Sequence, residues 1–275
     1  MAETGNSVKS ALYLPAFGPL ADPVALVELA RRAEAAGWDG VFLWDHLLAD
    51  GPVEVSDPWV ALGAMATATS RMSLGTMVSP LPRHRPAITA RQAGTLSRLS
   101  GGRCVLGVGI GADEYGDFSR FGEPTSLAER AAMTDQALDI IGAIWKGGPY
   151  RGGGVDLPEI PPEPHRIPVW VAATLPHVRS AHRAIKHDGV VLLDPELKVD
   201  AEKVRQALSI IGPTEKPYDV VVTGNASTAW GDDEKPGIGP LVEAGMTWWA
   251  ECLIHYDPLE LSMRVVDAGP SALTM

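Results

Sequence analysis

Cysteine is nearly missing from this chain: Cys104 and Cys252 are the only two, and each lies inside an apolar run. That excludes a disulfide-stapled secreted scaffold and reads as two buried thiols in a reducing compartment. Positive charge is also short, with 23 Lys and Arg against 34 Asp and Glu and a net charge of −11. A nucleic-acid or anionic-membrane partner asks for a basic face, so both are set aside. No apolar run approaches the ~20 residues that a bilayer-spanning helix needs. The start, MAETGNSVKS, has no apolar secretory core, and a cytoplasmic protein is the expectation. No His/Cys cluster has metal-ligand spacing, so no metal is expected. No nucleophile elbow occurs. The glycine run Gly107-Val108-Gly109-Ile110-Gly111 misses the register of a dinucleotide fingerprint.

What is present is alternation. Short apolar runs at Ala11 to Phe17, Val41 to Trp44, Met72 to Met77, Cys104 to Val108, Val169 to Ala172, Gly189 to Leu193, Tyr218 to Thr223 and Thr247 to Leu253 read as strands. Helical stretches follow each of them. Asp22-Pro23 and Asp57-Pro58 are N-cap and first-turn pairs, Pro86 opens a third helix, and Ser126 with Glu129 has capping-box spacing. Strands that are apolar on both faces and separated by helices are parallel. Eight such units over residues 1–275 form one domain, an α/β (β/α)8 TIM barrel; a doubly wound open sheet is the alternative. Lys146 to Pro168 is Gly/Pro-rich, lacks periodicity and reads as a surface excursion.

In such a barrel the ligand sits at the carboxyl ends of the strands. That rule selects Pro15 and Phe17, then Trp44, Asp45 and His46, then Met77, Val78 and Ser79 with Arg83, His84 and Arg85 beyond. It adds Gly109 to Asp113, Ala173 and Thr174, Asp194, Thr223 to Asn225, and Glu251 and His255. Arg83 to Arg85 is the dense positive cluster of the predicted mouth, either a guide for an anionic ligand or a solvated loop. The turn after Thr174, with His177, Arg179 and Arg183 nearby, suits a phosphate. Glu251 shares a side of its strand with Trp249. It is an acid, a base, or the partner of an inner arginine.

The residues AEAAGWDGVFLWDH (33–46), DPWVALGAMATATSRMSLGTMVSPLP (57–82), LSGGRCVLGVGIG (99–111), FGEP (121–124), IPVWVAAT (167–174) and EAGMTWWAE (243–251) make the chain resemble the luciferase-like monooxygenase superfamily nearly end to end. The resemblance implies a flavin-dependent oxidoreductase: a monooxygenase that takes reduced FMN, supplied by a separate flavin reductase, and adds oxygen to a small organic substrate. Its alternative is a deazaflavin (coenzyme F-420)-dependent hydride-transfer enzyme, and a third reading is a non-catalytic flavin-binding barrel or partner subunit. The resemblance implies a non-prolyl cis peptide at Met77–Val78 behind the cofactor ring. It places His46 over the reactive face of that ring, where the bland reading is a structural histidine bonded to a carboxylate such as Asp45. Phe17, Trp44, Met77, Val78, Arg83, Gly109, Ala173 and Thr174 are the implied cofactor contacts, with His46 and Glu251 as catalytic candidates. Two positions depart from the pattern. Ile110 stands where the luciferase branch has an arginine for flavin phosphate, and Ala112 where some deazaflavin reductases have a glutamate. Family members are commonly dimers or tetramers through their second and third helices, so Trp59 to Met65 and Ile88 to Leu99 are the candidate homodimer faces. Lys146 to Pro168 and Gly224 to Gly237 are candidate lids.

Overall fold

A computed structural model describes residues 8–175, 178–194, 196–231, 237–254 and 257–273. The described residues form ten strands: β1 (Lys9–Leu14), β2 (Gly40–Leu43), β3 (Ser73–Pro80), β4 (Cys104–Gly109), β5 (Tyr150–Gly152), β6 (Val155–Leu157), β7 (Val169–Ala173), β8 (Gly189–Leu192), β9 (Asp219–Gly224) and β10 (Trp248–Cys252). The helices are α1 (Pro23–Ala36), α2 (Pro58–Ala68), α3 (Pro86–Ser100), α4 (Leu127–Lys146), α5 (Val178–Ala184), α6 (Ala201–Ile211), α7 (Gly239–Glu243) and α8 (Leu259–Ala268). All strands but β5 and β6 close into one parallel barrel, β1-β2-β3-β4-β7-β8-β9-β10, with β10 back on β1. This is the (β/α)8 barrel that the alternation of apolar runs predicts. Among the described residues no helix is long and apolar enough to cross a membrane.

The local signals act as read. Asp22 accepts from Val24 N–H at 2.8 Å, Asp57 from Val60 N–H at 2.8 Å, and Ser126 from Glu129 N–H at 3.5 Å. β1 stops at Leu14 rather than Phe17, because Pro15 has no N–H to continue the ladder. β3 runs on to Pro80, with its register shifted between Thr76 and Ser79. The peptide Met77–Val78 within that shift is cis.

The 146–168 segment departs from the reading of it as irregular. β5 and β6 pair as an antiparallel hairpin turned by Gly153 and Gly154 at φ 56° and 77°, the left-handed values a two-residue hairpin turn needs. Its strands are three residues each, too short to show a period. The hairpin lies between α4 and β7, and so at the amino ends of the barrel strands. Glu163 and His165 pack against α3 at Gly94 and just past its end at Gly102. The segment is therefore no lid over the mouth, because it sits at the opposite end of the barrel.

Strand parity sorts the core into two layers. Leu12, Val41, Leu74, Leu106, Val171 and Trp249 face the helices. Ala11, Phe42, Met77, Val105, Trp170, Val191, Val221, Trp248 and Ala250 fill the barrel. The Trp170 and Trp248 indoles each donate to Asp219 at 3.1 Å, closing the floor with satisfied donors. Gly75 lets β3 approach β4 there: a Cβ on it would stand 1.8 Å from the Val105 carbonyl oxygen. Gly75→Ala is thus expected to cost on the order of 3 kcal/mol of stability, since backbone and not a side chain must move. Urea unfolding checks this; a loss under ~1 kcal/mol would show that the barrel wall is more pliant than this contact implies.

Candidate active site

The carboxyl ends of the strands open on a cavity of about 1140 Å³. Ligand pockets commonly span ~300–1,000 Å³, so the barrel mouth is large rather than plugged. Met77 and Val78 line its base with Gly109 and Ala172. A Cβ on Gly109 would come within 3.0 Å of Val78 Cγ2, so the missing side chain keeps this base flat. Ala128, Ala131 and Ala132 of α4 form a low wall, and Thr174, Arg179 and His182 face them from the β7 end and α5. Arg183 also lines this gap, but its guanidinium is held by Asp135 across it.

Six of the expected residues meet at the cavity: Trp44, His46, Met77, Val78, Gly109 and Thr174. Ile110 and Ala112, the two departures, line it as well. Four of the expected residues are placed elsewhere. Phe17 is 1% exposed and stands behind the wall, its ring 5.8 Å from Trp44 and 6.0 Å from His46. Ala173 faces the helical layer; parity puts Ala172 on the cavity instead. Glu251 is fully buried on the helix side of β10, beside Trp249 rather than Trp248. Its carboxylate accepts N–H groups of Ala226 at 3.0 Å and Ser227 at 3.1 Å, and the indoles of Trp230 at 2.6 Å and Trp249 at 2.7 Å. Burial pushes its pKa up against the pull of these donors. It clamps the loop after β9 and does not reach the cavity. Arg83 is the fourth; its side chain is 3% exposed, too deep to guide a ligand in from solvent. His177 and His255 lie outside the described residues.

Arg83 stands between two carboxylates. Nη2 is 3.1 Å from Asp45 Oδ1 and Nη1 is 3.3 Å from Asp117 Oδ2. Asp117 Oδ2 also takes His46 Nδ1 at 2.6 Å, while its Oδ1 accepts the N–H groups of Leu47 and Leu48. An ionised carboxylate only accepts, so Nδ1 carries the proton and Nε2 is the nitrogen left for a ligand. Asp45 Oδ2 accepts from Ser79 Oγ at 2.6 Å and lies 2.9 Å from His84 Nε2. Burial alone would raise the pKa of both acids; the histidine contacts, Arg83, and the Ser79 hydroxyl or Leu48 N–H outweigh it and hold both low. Asp113, a candidate from the strand-four loop, instead accepts from Phe118 and Ser119 N–H and shapes the turn that carries Asp117.

The sequence points to His46 and offers a carboxylate partner, Asp45, only in the bland reading of a structural histidine. Asp117 lies 71 residues away on the next-but-one loop, a pairing no local spacing reveals. Tyr13, Tyr115 and His182 were missed too. Tyr13 lines the cavity 5.1 Å from Trp44, and burial raises its pKa so that the hydroxyl stays protonated. Tyr115 packs edge-on to His46 at 5.3 Å. Among the described residues no His/Cys/Asp/Glu group is arranged to hold a metal ion.

A closed parallel barrel with an open carboxyl-end cavity and a carboxylate-held histidine defines a TIM-barrel protein of the ligand-binding kind. The luciferase-like monooxygenase family matches residues 6–235, and the chain belongs to that family. Proteins named F420-dependent glucose-6-phosphate dehydrogenase are similar in sequence. The one from Intrasporangium calvum is 35% identical over 172 residues, covering 57% of this chain and 50% of its own length. The one from Gordonia bronchialis is 32% identical over 217 residues, covering 69% and 62%. The chain thus spans about half to three-fifths of the length of these relatives. In structure it resembles an F420-dependent secondary alcohol dehydrogenase, with TM-score 0.72, 16% identity and coverage of 95% and 98%. It also resembles the monooxygenase RslO1 from Streptomyces bottropensis, with TM-score 0.70, 21% identity and coverage of 94% and 96%. Identities this low speak for the fold alone.

Both buried acids have lowered pKa values, so their stabilisation is present above the unfolded carboxylate range near ~3.9 and is lost as pH falls through the folded values. Asp117→Asn, which leaves Arg83 and His46 without their shared acceptor, is expected to lose about 3 kcal/mol at neutral pH. It should also flatten the fall of stability below about pH 4. Urea unfolding between pH 3 and 7 reads both; an unchanged acid limb would remove Asp117 as an anchor.

Proposed function

We propose that this chain is a deazaflavin (coenzyme F420)-dependent oxidoreductase that exchanges a hydride with a small organic substrate. The observation that carries it is His46, fixed through Nδ1 on Asp117 and facing an open cavity with a flat base. The relatives similar in sequence are named as F420-dependent, which favours this alternative over the FMN-and-oxygen reading. Ile110 brings no arginine to a flavin phosphate and Ala112 no glutamate to a deazaflavin, so the choice of cofactor rests on the relatives and not on these two positions.

The residues present fit such a cofactor. Met77, Val78, Gly109 and Ala172 would hold the ring; Arg179 and His182 would meet an anionic tail. When bound, the deazaflavin supplies hydride exchange at its ring. Tyr13, Trp44 and the rings behind them give a wall that keeps water from the reacting atoms. His46 moves the accompanying proton at Nε2, while Asp117 holds its tautomer and orientation. The open cavity and this paired histidine count against a non-catalytic barrel. A cytoplasmic setting is consistent with the free thiols of Cys104 and Cys252.

A homodimer is part of the proposal. A groove of about 330 Å³ runs between α2 and α3, with Val60 74%, Ile88 56% and Leu99 52% exposed along it. Trp59 Nε1 and Gln92 Oε1 line it as a buried donor and a buried acceptor without partners. A two-fold copy would cover the exposed apolar side chains along this groove.

Titration of the purified protein with F420 and with FMN, each oxidised and reduced, tests the cofactor. Deazaflavin should bind and FMN should not; reduced FMN binding alone, with oxygen uptake, would restore the monooxygenase reading. His46→Gln should leave F420 affinity within a few-fold and lower kcat by about 10²–10⁴. Sedimentation should show a dimer that Ile88→Asp converts to monomer, whereas a monomeric parent would end the dimer proposal.

A further inference from the structure

The His46–Asp117 contact is the first of four that run without a break. Its distance of 2.6 Å is followed by Asp117 Oδ2 to Arg83 Nη1 at 3.3 Å, Arg83 Nη2 to Asp45 Oδ1 at 3.1 Å, and Asp45 Oδ2 to His84 Nε2 at 2.9 Å. The three middle side chains are 2–4% exposed, while the histidines at the two ends are 23% and 22% exposed. Only the ends exchange protons freely with solvent. His46 does so inside the cavity; His84 is not among the residues that line it.

The charges on this chain do not balance by themselves. Two carboxylates and one guanidinium leave a surplus of one negative charge, which a single histidinium cancels. Across the cavity Arg183 is paired with Asp135, and Arg179 and His182 are the same in every variant compared below, so the difference made at His84 stands apart from them. Phe17, Trp44 and Tyr115 meet His46 as rings, and the Tyr13 hydroxyl is held protonated. Arg130 lies 4.3 Å over the Phe118 ring, which Arg83 also faces at 5.7 Å, and Asp113 is its counter-charge. Arg85, next to His84, is exposed at the start of α3 and screened by water. With the intervening side chains only 2–4% exposed, charge at one end is felt at the other.

We propose that His84 is a positioning residue for His46: through Asp45, Arg83 and Asp117, the charge on His84 sets how firmly His46 holds a proton. A proton on His84 cancels the surplus negative charge and weakens the hold of His46 on its own. Without a basic group at His84 the surplus remains, and His46 keeps its proton to higher pH. A permanent cation there does the reverse. The inference gains its catalytic meaning from the reading of His46 as proton carrier, but the coupling itself exists without cofactor.

The test is nuclear magnetic resonance titration of the His46 ring in the full chain, without cofactor, in parent, His84→Gln and His84→Lys. The midpoint should be higher in His84→Gln than in His84→Lys by roughly half to one pH unit, with the parent at or between the two. An ordered difference between two replacements of one partly exposed side chain is not what a loosened structure produces. Variant midpoints within about 0.2 unit of one another, or a higher midpoint in His84→Lys, overturn the proposal. If His84→Lys does not fold, His84→Arg supplies the permanent cation in its place. With F420 bound, the pH profile of kcat/KM should move with the ring midpoint. Failure of F420 to bind would remove the proposed function and leave the ring titration standing as its own result.

Discussion

One guanidinium buried between two carboxylates is what the barrel mouth is built on. Arg83 comes from the turn after β3, Asp45 from the end of β2, and Asp117 from the loop after β4. Three consecutive loops are therefore tied at one point. A charge so deep is tolerable only when opposite charge stands beside it, and with a carboxylate on either side of Arg83 the three loops have little freedom relative to one another. Met77 and Val78, the base of the cavity, belong to β3, the strand that leads directly into the Arg83 turn. His46 inherits its orientation from the same knot, since Asp117 Oδ2 serves both it and Arg83.

At β10 a third buried carboxylate does comparable work. Glu251 gathers two backbone N–H groups and two indoles, fixing the loop after β9 against β10. Neither Glu251 nor Arg83 touches the cavity, yet each decides the shape of one half of its rim. Around the base the residues facing the ligand are mostly small or aromatic, glycine and alanine where a flat ring would rest, tyrosine and tryptophan beside the histidine, while Arg179 and His182 bring charge to the α5 side. Arg83 and Glu251 position these groups without touching the cavity themselves.

Much of this was legible in the chain. Alternating apolar runs and capped helices predict the barrel, and the carboxyl-end rule alone puts Trp44, His46, Met77, Val78, Gly109 and Thr174 at the mouth. The errors have definite causes. A strand end names two neighbours but not which of them faces inward, so Ala173 was taken where Ala172 lines the cavity, and Glu251 where the inner face carries Trp248 and Ala250. An arginine-rich turn reads as exposed, because nothing near it in sequence announces the two acids that bury Arg83. A hairpin of three-residue strands leaves no periodicity to read.

The sequence by itself determined the number and order of the strands, their parallel course and the end of the barrel at which a ligand enters. Those follow from local propensity and from the hydrophobic pattern along the chain, which are properties of neighbours. Tertiary structure decided which side of each strand meets the cavity, and that Asp117, not the adjacent Asp45, holds His46. Such choices depend on where distant loops converge once the barrel has closed, and no spacing along a chain records the distance between residues that only folding brings together.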